Sequence, residues 1–76
     1  MWQQQNNALY RQFEFRDFSE ALGFLVRVGL LAEAANHHPV IKNSWNTVEL
    51  WLSTHEANDT ATDKDYNLAK AIDELS

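Results

Sequence analysis

The sequence predicts an α+β fold: a four-stranded antiparallel sheet with two helices packed on one face, in the order β-β-α-β-β-α. Three observations carry that expectation. Residues 8–16 and 45–55 alternate apolar and polar side chains with a period of two, as half-buried strands do. Between them, residues 18–35 place apolar groups three and four apart, the spacing of one helix face. A second, shorter stripe of the same kind follows: Leu68, Ala69, Ile72 and Leu75.

Taken in order, WQQQ at 2–5 is weak strand material, and Asn6-Asn7 tolerate the left-handed conformations of a tight hairpin turn. In ALYRQFEFR, Leu9, Arg11, Phe13 and Phe15 share one face, and Tyr10, Gln12 and Glu14 the other. Arg11 is the misfit on the apolar side and is expected at the sheet margin. Asp17 suits a helix N-cap, and Glu20 three residues later gives an acidic version of the capping box. The buried face of that helix is expected at positions 18, 21, 22, 25, 28, 32 and 35, widened by Phe24 and Leu31. Ser19, Glu20, Gly23 and Arg27 form its wet side. Val26 and Leu30 interrupt that side, which points to a second subunit. Pro39 cannot continue the helix and biases His38 toward extended backbone, so the helix should stop near Asn36.

PVIKN then reads as a short strand and Asn43-Ser44 as a turn. In WNTVELWLSTH, Val48, Leu50 and Leu52 should face the core, with Trp45, Thr47, Glu49, Trp51, Ser53 and His55 opposite. EANDTAT is polar loop. Thr62 caps the last helix, with Asp63 and Asp65 in its first turn, where negative charge suits the dipole.

Composition narrows the function. Seventy-six residues make one small domain, which buries only about 60% of its unfolded surface, so self-association is expected. The formal charge of −5, with six scattered Lys and Arg, argues against nucleic-acid and anionic-membrane partners. The chain has no cysteine, so it has neither a disulfide framework nor a thiolate zinc site. No signal peptide and no apolar run of membrane-spanning length are visible. A cytoplasmic location is the expectation.

All three histidines stand at the ends of one supersecondary unit: His37 and His38 where the long helix ends, His55 after the following hairpin. Histidine moves protons near neutral pH, and two imidazoles around one bound molecule can divide donation from acceptance. Glu33, four residues before His37, lies on the same side of the chain at helical spacing. Plainer roles exist for each. Histidines at a helix C-terminus serve the dipole, His55 suits a surface strand end, and Trp45 and Trp51 suit packing or an interface. The acidic residues Asp59, Asp63 and Asp65 read as a solvated loop and helix start. No ligand-spacing motif supports a metal, and none is expected.

EAANHHP followed by N-x-W-N-x-V-x-L-x-L-x-T-H resembles the signature of the pterin-4a-carbinolamine dehydratases. F-x-F-x-D-F-x-x-A at 13–21 and D-x-N-L-A at 65–69 are similar to the same family, so the resemblance runs from about Leu9 to Leu75. It implies dehydration of 4a-hydroxytetrahydropterin to the quinonoid dihydropterin, a lyase step that recycles the cofactor of aromatic amino acid hydroxylases. The tetrahydropterin derivative is then the substrate, and no separate cofactor is implied. By matching position, His37, His38 and His55 are the active-site histidines, with Glu33 and Asp65 as substrate-binding or orienting carboxylates. The resemblance also implies a homodimer or homotetramer with sheets joined edge to edge. The family includes members acting as protein partners, so a non-catalytic binding scaffold (coactivator or assembly-factor-like) is the alternative. Two departures stand out. EANDTATDKD after His55 is one residue longer than usual and lacks the usual glycines, leaving Asp63 as an alternative match to Asp65. Position 36 is Asn where some relatives carry Asp.

Overall fold

Asn6 and Asn7 both take positive φ, 51° and 69°, the two left-handed residues that a tight hairpin turn requires. They join β1 (Gln3–Gln5) to β2 (Ala8–Glu14). The computed structural model describes residues 1–75. After β2 come α1 (Phe18–Ala35), β3 (Val40–Ser44), β4 (Thr47–Leu52) and, after a short 3-10 turn at His55–Ala57, α2 (Asp63–Asp73). The strands form one antiparallel sheet in the order β1-β2-β4-β3. Both helices cover a single face of it, which is the predicted α+β arrangement.

Strand alternation decides the core. Val48, Leu50 and Leu52 of β4 are fully buried, and Leu9 and Phe13 of β2 lie beside them. The register aligns Leu9 with Leu52 and Phe13 with Val48, so the two inner strands present an apolar surface to the helices, broken only by Arg11 opposite Leu50. Ala21, Phe24, Val28 and Ala32 of α1 and Leu68, Ala69 and Ile72 of α2 complete the core.

The buried face of α1 is rotated from the expected one. Phe18 and Leu22 are half exposed, and with Val26 and Leu30 they form an outward apolar row. The rotation follows from packing. Phe24 sits 4.7 Å from Phe13 and 4.9 Å from Phe15, centroid to centroid. The small Ala21 and Ala32 are buried among the core residues beside it, where a larger side chain would hold the helix off.

Arg11 differs from expectation as well, because β2 is an inner strand and not a margin. Its guanidinium lies 4.5 Å from the Phe13 ring centroid and ends on Asp73 Oδ1 at 2.6 Å, near the end of α2. The aliphatic stem covers core while the charge reaches a partner outside it.

The second hairpin turns at Trp45-Asn46, two residues later than expected. Asn43 and Ser44 pair with Val48 and Thr47 as the end of β3, and Trp45 takes the left-handed φ of 46°. Asn46 explains the placement. Its amide donates to the Phe15 carbonyl, and its own carbonyl accepts the Phe15 N–H, which staples the turn to the chain leaving β2.

Asp17 caps α1 as expected, its carboxylate accepting the Glu20 N–H at 2.8 Å. The Glu20 carboxylate reaches Arg16 N–H, one residue before the cap. Truncating the centre of the core tests this packing. Leu50→Ala should lower unfolding free energy by about 3 kcal/mol in denaturant titration, and a loss below about 1 kcal/mol would contradict the burial assigned to it.

Candidate active site

Asn36 decides how the chain leaves α1. It adopts φ 51°, ψ 43°, and the His37 N–H returns to the Ala32 carbonyl at 3.0 Å. This is a Schellman-type ending, which needs a residue that tolerates the left-handed region, and Asn does so at lower cost than most. With helical geometry broken at position 36, His37 and His38 diverge. His37 turns inward and His38 outward.

His37 is the anchored ring, its side chain only 12% exposed. Its Nε2 lies 2.5 Å from Oδ1 of Asp65, which is fully buried. The other carboxylate oxygen, Oδ2, accepts the Thr54 hydroxyl at 2.7 Å and the Thr62 N–H at 2.8 Å. Thr54 has one hydroxyl proton, spent on Asp65, so the 2.6 Å contact between Thr54 and Thr62 oxygens has Thr62 as donor. The carboxylate is thus bonded from the end of α1, the chain after β4 and the cap of α2.

Burial by itself pushes the Asp65 carboxyl up. The hydrogen bonds from His37, the Thr62 N–H and Thr54, with the attraction of the His37 charge, outweigh it, and the net shift is downward. Asp65 is therefore ionised at neutral pH and accepts a hydrogen bond from Nε2–H. That assigns Nε2–H to His37 and leaves Nδ1 as the nitrogen without that proton.

His38 and His55 are less restrained. His38 Nε2 lies 2.8 Å from Glu33 Oε1, with both side chains mostly exposed. The i, i+4 relation of Glu33 to His37 does not produce a contact, because the left-handed Asn36 interrupts the helix between them. Glu33 serves His38 instead. His55 opens the 3-10 turn, not the end of a strand, since β4 ends at Leu52 and the chain then turns back with Thr54 pairing to Thr60. Its Nδ1 lies 3.2 Å from Asp59 Oδ1.

Despite these separate anchors, the three imidazoles share one place. A cleft of about 310 Å³ is lined by Asn36, His37, His38, Ser53, His55, Glu56 and Lys64. A larger cavity of about 420 Å³ lies between β1 and α2, with Trp2, Tyr66 and Asp73 on its walls and no histidine. We take the smaller cleft as the candidate site, because proton-transfer groups converge there. Among the described residues, no three His, Asp or Glu side chains meet in a way that would hold a metal ion.

Sequence reading missed Thr54, Thr62, Asp59 and Lys64 as site residues. One signal was present for Thr54. It continues the core-facing series Val48, Leu50, Leu52, and a polar group carried inward by alternation needs a buried partner. Lys64 and Asp59 owe their places to the turn between β4 and α2, which no periodicity specifies.

The chain matches the profile of the family described as "Pterin 4 alpha carbinolamine dehydratase" over residues 1–75. A Rhodospirillum rubrum protein named "Putative pterin-4-alpha-carbinolamine dehydratase" is 53% identical over 68 residues, covering 90% of this chain and 70% of the relative. A Prochlorococcus marinus protein of the same name is 49% identical over 74 residues, 97% of this chain and 76% of the relative. The crystal structure of a transcriptional coactivator/pterin dehydratase from Brucella melitensis superposes with a TM-score of 0.90 at 36% identity, over 97% of this chain and 80% of that one. A pterin dehydratase-like protein identified as a RuBisCO assembly factor in the alpha-carboxysome shares the fold, with a TM-score of 0.79 at 21% identity, over 99% and 86% of the two chains.

The Asp65 carboxyl sets a pH dependence. Its folded pKa lies below the unfolded value of 3.8, so ionisation contributes stability that is complete above about pH 4 and lost as pH falls through the folded pKa. Wild type should exceed Asp65→Asn in unfolding free energy at pH 6, with the gap closing as pH falls below 4. A pH-independent gap would contradict the assignment.

Proposed function

The chain belongs to the pterin 4 alpha carbinolamine dehydratase family, and on that premise we propose that it removes water from a 4a-hydroxytetrahydropterin. The product is the quinonoid dihydropterin, and the step returns the cofactor of an aromatic amino acid hydroxylase to its cycle. The observation that carries the reading is the convergence of His37, His38 and His55 on one cleft.

The chemistry needs two proton movements. As the C4a–O bond breaks, an acid protonates the departing hydroxyl, which leaves as water. A base accepts a proton from the ring system, and its electron pair closes the new double bond. Protons and electrons balance without an oxidant or reductant. We assign the two transfers to His37 and His55. His37 works through Nδ1, because Nε2 is committed to Asp65, and the ionised carboxylate supports the imidazolium that forms when Nδ1 takes a proton. His38, oriented by Glu33, binds and positions the pterin. A cleft of about 310 Å³ has the size of a small-ligand site.

A homodimer or homotetramer is part of this reading. The outward row Phe18, Leu22, Val26 and Leu30, with Leu30 68% exposed, supports it, because contiguous exposed apolar surface marks an association face. The same row supports the alternative of a protein-binding scaffold without catalysis. Turnover separates the two. The protein should accelerate decay of chemically generated 4a-hydroxytetrahydropterin, followed by absorbance. His37→Ala should lower that rate about 10²–10⁴-fold, the usual contribution of a positioned acid or base. No acceleration by the folded wild type would sink the enzyme reading in favour of the scaffold.

A further inference from the structure

His55 is 91% exposed, so packing does little to hold a ring that the proposed reaction needs in one orientation. The loop that follows it carries an unusual backbone. Asn58 and Asp59 are consecutive and both left-handed, each at φ 59°. Two such residues in a row are unfavourable for side chains with a Cβ, least so for Asn and Asp. Their combined effect is to fold the loop back over its own start. The Asp59 N–H reaches the Thr54 carbonyl at 3.1 Å, Asn58 N–H reaches that of His55, and Thr54 N–H donates to the Thr60 carbonyl at 2.8 Å. The Thr60 hydroxyl adds a 2.6 Å bond to the Ala57 carbonyl. Thr54, the anchor of this fold-back, is itself buried and bonded to Asp65. Asp59 is thus held by backbone braced on the interior, and its Oδ1 lies 3.2 Å from His55 Nδ1.

We propose that Asp59 is a positioning residue for His55. Its carboxylate accepts the Nδ1–H, fixes the tautomer and leaves Nε2 as the nitrogen that exchanges protons in the cleft. A neutral imidazole in water favours the opposite tautomer, with the proton on Nε2. The nitrogen that carries the proton is set by the hydrogen bond the other one makes, and a carboxylate at Nδ1 reverses the preference. Glu56 also lines the cleft, but among the described residues no hydrogen bond or ion pair joins it to the His55 ring. The catalytic consequence rests on the dehydratase reading, while the placement of the ring does not.

Two variants separate the effects. Asp59→Gly removes the carboxylate and accepts a positive φ without strain. Asp59→Asn keeps an oxygen that can accept from Nδ1 while removing the charge. Long-range nitrogen–proton correlation spectra of nitrogen-15 labelled protein, recorded with the ring neutral, report each tautomer directly. We expect Nδ1–H at His55 in wild type and Asp59→Asn, and Nε2–H in Asp59→Gly. Turnover of 4a-hydroxytetrahydropterin should fall about tenfold in Asp59→Gly, less than loss of an imidazole, with KM and melting temperature close to wild type. Asp59→Asn should retain most of kcat. An Nε2–H tautomer in wild type, or an unchanged tautomer in Asp59→Gly, would overturn the proposal. A tautomer switch in a protein without pterin turnover would uphold the placement and remove the dehydratase reading alone.

Discussion

Burying a carboxylate without partners is prohibitively costly, so the interior of this protein can hold Asp65 only by supplying donors to both of its oxygens. It does so from three separated parts of the chain: the His37 ring past α1, the Thr54 hydroxyl past β4, and the Thr62 N–H at the start of α2. Those three segments are also the walls of the histidine cleft. The constraint that satisfies one buried charge therefore fixes the geometry of the site, and removing a single donor would leave the carboxylate underbonded. Stability and site geometry depend on the same few hydrogen bonds.

The three histidines differ in how firmly the fold holds them. His37 is clamped by a buried, ionised partner, whereas His38 and His55 meet exposed carboxylates. Exposed pairs of this kind contribute little to stability. Their value lies in orienting rings that solvent would otherwise leave mobile. The buried His37 and the exposed His38 and His55 thus line one cleft with different freedom.

Much of this architecture was legible in the sequence, because it rests on patterns that local physics enforces. Two-residue alternation identified the inner strands, Asp17 and Thr62 marked helix starts, and Pro39 pointed to a helix end near Asn36. The family motif brought His37, His38, His55, Glu33 and Asp65 together as candidates. What sequence did not reveal were consequences of tertiary packing. The face of α1 turned because Phe24 found Phe13 and Phe15, a match that no helical period contains. Glu33 paired with His38 instead of His37 because one left-handed residue undid the helical spacing. The fold-back that brings the exposed loop residue Asp59 to His55 was not legible, because two consecutive left-handed residues are invisible in a run of polar side chains.

In the proposed function the pterin ring reacts in the histidine cleft. A crystal structure with a bound dihydropterin addresses that claim most directly. The ring should lie between His37, His38 and His55, with His37 Nδ1 within hydrogen-bond distance of it and Nε2 still on Asp65. A ring bound instead against Trp2 and Tyr66, in the cavity beside β1, would contradict the account.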